Sequence, residues 1–344
     1  MGLWLIVWFF VLGIMVTAYV IVGGTRLGFG LWYLFAPSFE REYILKALKP
    51  HIDGSELWIV LAGSSLYILF PWIYNVVFSG FYPIISVIAA VLGFRIVALL
   101  VRNILRFSLW RSFWDVLISL CSLIPIFLIG IITGYILKGV PLYSVGRFNI
   151  NILGYISHYT IVTGLMILFG SAILSCTAIA WNSDGITRIR SRKWAFYSSL
   201  ILCVLMVDLT IWSLNISPYI SANIRANPYL FVIPATTFIT AIEIPVLLYK
   251  QRFMFSYVLT VVVMTGLALL FFVSIYPHLK TIFFESRPNL PVKFEAMMEL
   301  RKKMLPVYIV FMAAVIALQI LIFRTYRQHV HCPLPHDEED YSLL

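Results

Sequence analysis

Charge is scarce in this sequence: only 12% of its 344 residues are Asp, Glu, Lys or Arg, about half the roughly 25% of an ordinary soluble domain, while 61% are hydrophobic. That balance excludes a soluble globular enzyme, a disordered chain and a collagen-like one. Acids are scarcer than bases, 15 against 25, for a net charge of +10. The basic residues stand in short segments between apolar runs, so their excess is read as topology, and no nucleic-acid partner is expected. Cysteine is sparse too. Cys121, Cys176 and Cys203 lie inside apolar runs and Cys332 near the C-terminus, a spacing that excludes a disulfide framework or a CxxC zinc site. There is no Walker loop, no HExxH and no GxGxxG following a strand.

Histidines are few and badly placed for ligation. His158 alone lies well inside an apolar run; His51 and His278 lie at edges, and His329, His331 and His336 in the tail. One interior histidine cannot form a bis-histidine haem site, and Met206 and Met264 read as packing. The tail's HVHC reads as a fortuitous short tract. No metal and no cofactor held by this chain's own ligands is therefore expected, and no catalytic centre.

What is abundant is apolar length. Nine runs reach the approximately 20 residues needed to cross about 30 Å of hydrocarbon: Leu3 to Val22, Leu57 to Val77, Tyr82 to Val101, Asp115 to Leu137, Tyr155 to Trp181, Trp194 to Asn215, Tyr229 to Tyr249, Met254 to Tyr276, and Met304 to Phe323. Aromatic residues, 16% of the chain with 10 Trp and 19 Tyr, suit two membrane interfaces. The fold class is thus all-α, a polytopic membrane protein forming one membrane domain over 1–344. Helices one to four occupy about 3–137 and helices five to nine about 155–323, with a polar tail over 324–344. The first run lacks a basic n-region and an A-x-A site, so it is expected to be a retained helix. Gly134 and Gly170, inside helices, read as points of close packing.

Lys and Arg set the orientation. With the N-terminus outside, the inner segments hold Arg26, Arg41, Lys46 and Lys49; Arg102, Arg106 and Arg111; Arg188, Arg190, Arg192 and Lys193; Lys250 and Arg252; and Arg324 and Arg327. That is fifteen, against nine outside, six of them between the last two helices, so an outer N-terminus and a cytoplasmic C-terminus are favoured. The stretch Ser38 to Leu48 spaces Tyr43, Leu45 and Leu48 as a surface-lying amphipathic helix, ended by Pro50.

Charged groups inside a bilayer need a partner, water or a role. Arg95 sits two thirds of the way along the third helix, Asp208 in the sixth and Glu243 in the seventh. A structural hydrogen bond between helices and a place in an ion path both fit them. At the inner boundary, KPHIDGSELW gathers His51, Asp53, Ser55 and Glu56. Such a group can pass protons when partly desolvated; equally, Asp53 or Ser55 can cap a helix start whose dipole favours the acids.

The string from Ile44 resembles subunit II of the cytochrome bd-type quinol oxidases. The family pattern runs P-H-W-D-G-N-Q-V-W-L, then A-G-G, F-P, F-S-G-F-Y and F-R. This chain has Pro50, His51, Asp53, Gly54 and Trp58, then Ala62 and Gly63, Phe70 and Pro71, Phe78 to Tyr82, and Phe94 and Arg95. A second block from Trp110 is similar to the family's fourth helix, with Trp114, Asp115, Pro125, Gly130, Gly134 and Gly139-Val140-Pro141 in step. The resemblance is specific over about 20–145 and fades beyond Lys193.

The resemblance implies nine helices in two four-helix bundles plus a peripheral helix. It implies a heterodimer with a haem-bearing subunit I, which carries haem b, haem d or a b-type substitute, and the quinol site. It implies a bacterial inner membrane, a complex that oxidises quinol and reduces dioxygen to water, and room for small single-helix subunits and a structural quinone or lipid. An isoprenoid tail would fit a groove among Phe70, Trp72, Phe78 and Phe81. Residues matching Asp53 line the family's inner proton inlet, and Trp58, Arg95 and Asp115 fall on its motif positions.

One departure stands out. Where the family's first helix ends D-G-F-D-x-G-x-G, this chain has Gly23, Gly24, Thr25, Arg26, Leu27, Gly28, Phe29 and Gly30. Both acids are gone and an arginine replaces one, while Glu56 stands where the family has Gln. The expectation is that His51, Asp53 and Glu56 form a substitute inlet; a pure scaffold is the other outcome. A different class of reading, a secondary transporter with Asp208, Glu243 and Arg95 as its ion or substrate site, would draw on the helix interruptions at Pro125, Pro234 and Pro245.

Overall fold

The computed structural model describes residues 3–52, 55–69, 71–102, 104–105, 107–139, 152–216, 228–275, 291–326 and 330–332. Lipid offers no partner to backbone N–H and C=O groups, and the apolar runs satisfy them internally as helices. In chain order these are α1 (Leu3–Leu27), α2 (Gly30–Tyr33), α3 (Ser38–Ile52), α4 (Ser55–Leu69), α5 (Pro71–Gly80), α6 (Tyr82–Val101) and α7 (Ser108–Gly139). There follow α8 (His158–Asn182), α9 (Ile186–Ile216), α10 (Val232–Tyr249), α11 (Phe253–Ile275) and α12 (Pro291–Tyr326). Two three-residue strands, β1 (Ser183–Gly185) and β2 (Val330–Cys332), pair in parallel.

Among the described residues, eight helices are long and apolar enough to cross a membrane, one fewer than the nine expected runs. The difference is at Leu57 to Val77, which is split into α4 and α5, of 15 and 10 residues. Pro71 opens α5: it has no N–H to continue the ladder and its ring crowds the preceding turn. Pro125, Pro245 and Pro306 lie inside helices that run on past them.

Helix α8 is the centre of the packing, touching α1, α7, α9 and α11. Its buried face is small: Gly164, Gly170, Ser171, Ala172, Ser175, Ala178 and Ala180. Small side chains let neighbouring backbones approach, which replaces the hydrophobic drive that lipid removes. Gly28 lies directly on the Ser171 carbonyl, where any Cβ would overlap it. Gly134 faces Thr163 and Gly170 faces Met264, in agreement with the close packing read from sequence. Separate clusters fill the remaining seams: Ile173, Leu202, Ile244 and Val263 among α8 to α11, and Trp8, Met15, Trp58 and Tyr308 among α1, α4 and α12.

Two sequence expectations are corrected. Helix α3 continues through Pro50 to Ile52, because near a helix end proline removes one hydrogen bond and its fixed φ is already helical. The face it buries is Glu40, Ile44, Ala47 and Leu48, packed with Ala178 and Ile179 of α8, whereas Tyr43 and Leu45 are only half-buried. The tail, expected to be wholly irregular, contributes β2, whose Val330–Cys332 backbone pairs with Ser183–Gly185; Gly185 takes φ 72° there.

Candidate functional site

The last turn of α1 meets the first turn of α4. Arg26, 4% exposed, donates from Nη1 to Ser55 Oγ at 2.8 Å and forms an ion pair with Glu56, and Ser55 Oγ donates to Glu56 Oε2 at 3.2 Å. The end of α1 is held on α8, where Ser175 Oγ donates to the Thr25 carbonyl at 2.6 Å. Ser55 and Glu56 open α4, where the free N–H groups and the helix dipole favour a carboxylate. Of the three residues expected to form the inlet, Glu56 is thus placed. Asp53 lies outside the described residues, as does the side chain of His51. Arg26 and Glu56, the two departures from the family pattern, are partners in one pair.

Arg95 lies behind this pair and is fully buried. Its Nε donates to Ser122 Oγ at 2.9 Å, its Nη2 to the Arg26 carbonyl at 3.4 Å, and its guanidinium stands 5.8 Å from the Phe29 ring centroid. Among the described residues it meets no carboxylate, and Nη1 has no hydrogen-bond partner.

Asp115, 2% exposed, is the hub of a second network. It accepts from Tyr33 Oη at 2.7 Å, Arg41 Nη1 at 3.2 Å and Arg102 Nε at 2.5 Å. Arg41 also donates to the carbonyls of Ala36, at 3.0 Å, and Leu34, at 3.3 Å. One carboxylate therefore ties α2, α3, the end of α6 and the start of α7. Burial disfavours the charged Arg102 guanidinium, but the Asp115 hydrogen bond and the nearby negative groups outweigh it and hold its pKa above the ordinary arginine value. Sequence reasoning missed a third buried pair, Arg190 Nη1 with Glu40 Oε1 at 3.1 Å, which joins α9 to α3; Glu40 is fully buried.

The remaining candidates are dispersed. Trp58 Nε1 donates to Gln319 Oε1 at 3.2 Å, joining α4 to α12. Asp208 meets His158 Nε2 at 3.2 Å, and the imidazole lies 5.0 Å from the Trp212 ring. Glu243 is exposed on α10 and has no hydrogen bond or ion pair among the described residues. Arg95, Asp208 and Glu243 share no contact, so the set required by the transporter reading is not assembled. Nor does Phe81 line an open groove: it is 3% exposed and packs on Tyr135 and Tyr155. Phe70 and the Trp72 side chain lie outside the described residues. No group of three metal-ligating side chains occurs among the described residues.

Comparison with known proteins gives a consistent family. The family model for cytochrome bd terminal oxidase subunit II matches residues 4–326. Cytochrome bd-I ubiquinol oxidase subunit 2 of Escherichia coli (strain K12) is 28% identical over 218 residues, 60% of this chain and 56% of the relative. Cytochrome bd ubiquinol oxidase subunit 2 of Bacillus subtilis (strain 168) is 25% identical over 191 residues, 55% of this chain and 56% of the relative. The chain thus spans a little over half the length of these curated relatives. A chain of the bd oxidase structure from Geobacillus thermodenitrificans superposes with a TM-score of 0.67 at 16% identity, covering 94% of this chain and 99% of that one, a likeness of fold.

Proposed function

Because the chain belongs to the subunit II family of cytochrome bd terminal oxidases, we propose that it serves as the haem-free half of a quinol:dioxygen oxidoreductase in a bacterial cytoplasmic membrane. The observation that carries this is the family match over 4–326, almost the whole length of the helical part. Its partner is a haem-bearing subunit I holding haem b and haem d or a b-type substitute, which supplies electron transfer from quinol and oxygen reduction. The residues here do not suit haem: His158, the one interior histidine, turns Nε2 to Asp208, and no step is assigned to haem on this chain.

The chain's own contribution is packing and electrostatics. In this reading α4 and α5 make the ninth crossing together, bent at Pro71, and the nine crossings form two four-helix bundles plus a peripheral helix, with the N-terminus outside. The ends of α1, α3, α4, α6 and α7 are locked by the Arg26, Arg41, Arg102 and Asp115 contacts, which give subunit I a rigid surface. Asp53, with Glu56 and His51, admits protons at the inner boundary. Glu56 does so as the partner of Arg26, so that Ser55, hydrogen-bonded to both, is the group that can relay a proton past the pair. Lipid, a structural quinone and small single-helix subunits belong to the same reading.

Affinity purification of the tagged chain tests it. A pigmented second subunit with a long-wavelength chlorin band is expected, and a colourless monomer contradicts it. Proton uptake by Asp53→Asn and Glu56→Gln enzymes tests the inlet, and parent rates in both remove it.

A further inference from the structure

Five buried hydroxyl groups, Thr25, Ser55, Ser122, Ser171 and Ser175, lie along the seam of α1, α4, α7 and α8, and Ser119 continues it by donating to the Gly30 carbonyl. A seam of hydroxyls is the kind of structure that hands protons along when water joins it, and in a coupled membrane such a path is a short circuit. Arg26 and Arg95 interrupt it. Arg26 is 4% exposed and touches Ser55; Arg95 is fully buried and touches Ser122; the two are linked through the Arg26 carbonyl.

We infer that Arg26 and Arg95 form a cationic barrier that prevents protons from crossing the membrane through this subunit's own helices. Guanidinium keeps its charge at any physiological pH and has no lone pair to accept a proton. Glu56 offsets Arg26, but it is 46% exposed at the rim, whereas the partners of Arg95 are a hydroxyl, a carbonyl and an aromatic face, all neutral. The cluster of Arg26, Glu56 and Arg95 therefore carries one net positive charge, and that charge sits at the deeper residue. A buried arginine excludes protons and cations from water-selective pores by the same repulsion. The barrier does not depend on whether Asp53 and Glu56 admit protons; if they do, those protons leave sideways toward the partner subunit.

The test is passive proton leak. The complex as purified is placed in vesicles with a trapped pH dye, a potential is imposed with potassium and valinomycin, and no quinol is added, so turnover plays no part. Arg95→Gln, which keeps hydrogen-bonding capacity and loses the charge, is expected to leak about tenfold faster per assembled complex, the factor that goes with roughly 1.4 kcal/mol of barrier. Arg26→Gln is expected to move the same way and serves where Arg95→Gln assembles poorly. Ser122→Ala disturbs the same contact, keeps both charges, and is expected to stay tight. Leak at the parent rate in both glutamine variants overturns the barrier, as does a Ser122→Ala complex that leaks as fast as Arg95→Gln.

Discussion

Arg102 Nε donates to Oδ1 of Asp115 at 2.5 Å, thirteen residues along the chain, across the turn from α6 to α7. Side chains of both are almost fully buried, 6% and 3% exposed, and Arg41 completes the neutralisation from α3. Asp115→Asn leaves two buried guanidinium groups without their counter-charge, and removing one partner of such a pair costs about 3–5 kcal/mol. The expected outcome is a large fall in folded chain recovered from membranes and in thermal midpoint. A midpoint equal to the parent's would show that water or lipid already compensates these charges.

The Arg26 and Glu56 pair is expected to behave as a unit. Each single change, Arg26→Glu or Glu56→Arg, places like charges together; exchanging both restores an attractive pair. A double-mutant cycle on chain stability should return a favourable coupling of about 1 kcal/mol, modest because Glu56 is half-exposed. Additive effects would mean that the pair is not formed in the membrane.

Helix α3 separates a packed face from a wet one. Leu48→Ala removes a fully buried side chain lodged against α8 and should cost about 2–5 kcal/mol. Lys46→Ala, on the exposed side, should change stability by no more than about 0.5 kcal/mol. Equal effects in unfolding experiments would contradict this placement of the helix.

Gly28→Ala is a sharper probe of the α1 and α8 contact. The added methyl would overlap the Ser171 carbonyl, which is backbone and cannot turn away. Overpacking of this kind costs about 1–3 kcal/mol, and here the helix ends themselves must separate. The variant should show faster proteolysis near the end of α1, and Gly63→Ala, where a Cβ meets open space, should not.

Much of the fold was legible because lipid imposes a coarse rule: about 20 apolar residues make one helix. The rule is blind to a break inside a run, and Pro71 divided the second crossing where composition alone read it as continuous. Pattern failed on α3 for a related reason. Apolar spacing pointed to Tyr43, Leu45 and Leu48, while the buried face is set by what α8 presents, small Ala178 and Ile179 against Ile44, Ala47 and Leu48, with Glu40 buried on Arg190. The site was half legible. Arg26 and Glu56 were visible as two oddities of opposite sign, but only folding brings residues 30 apart into contact. Glu40 and Arg190 carried no sequence signal for pairing, since they are 150 positions apart and each stands in an ordinary charged segment.

The central claim is that this chain has no redox centre and works beside one held by another subunit. The most direct measurement is haem partition: purify the complex by a tag on this chain, separate the subunits in detergent, and determine haem and visible spectrum on each fraction. The account predicts that all haem follows the partner and that the separated chain is colourless. Haem retained in stoichiometric amount on this chain would contradict it.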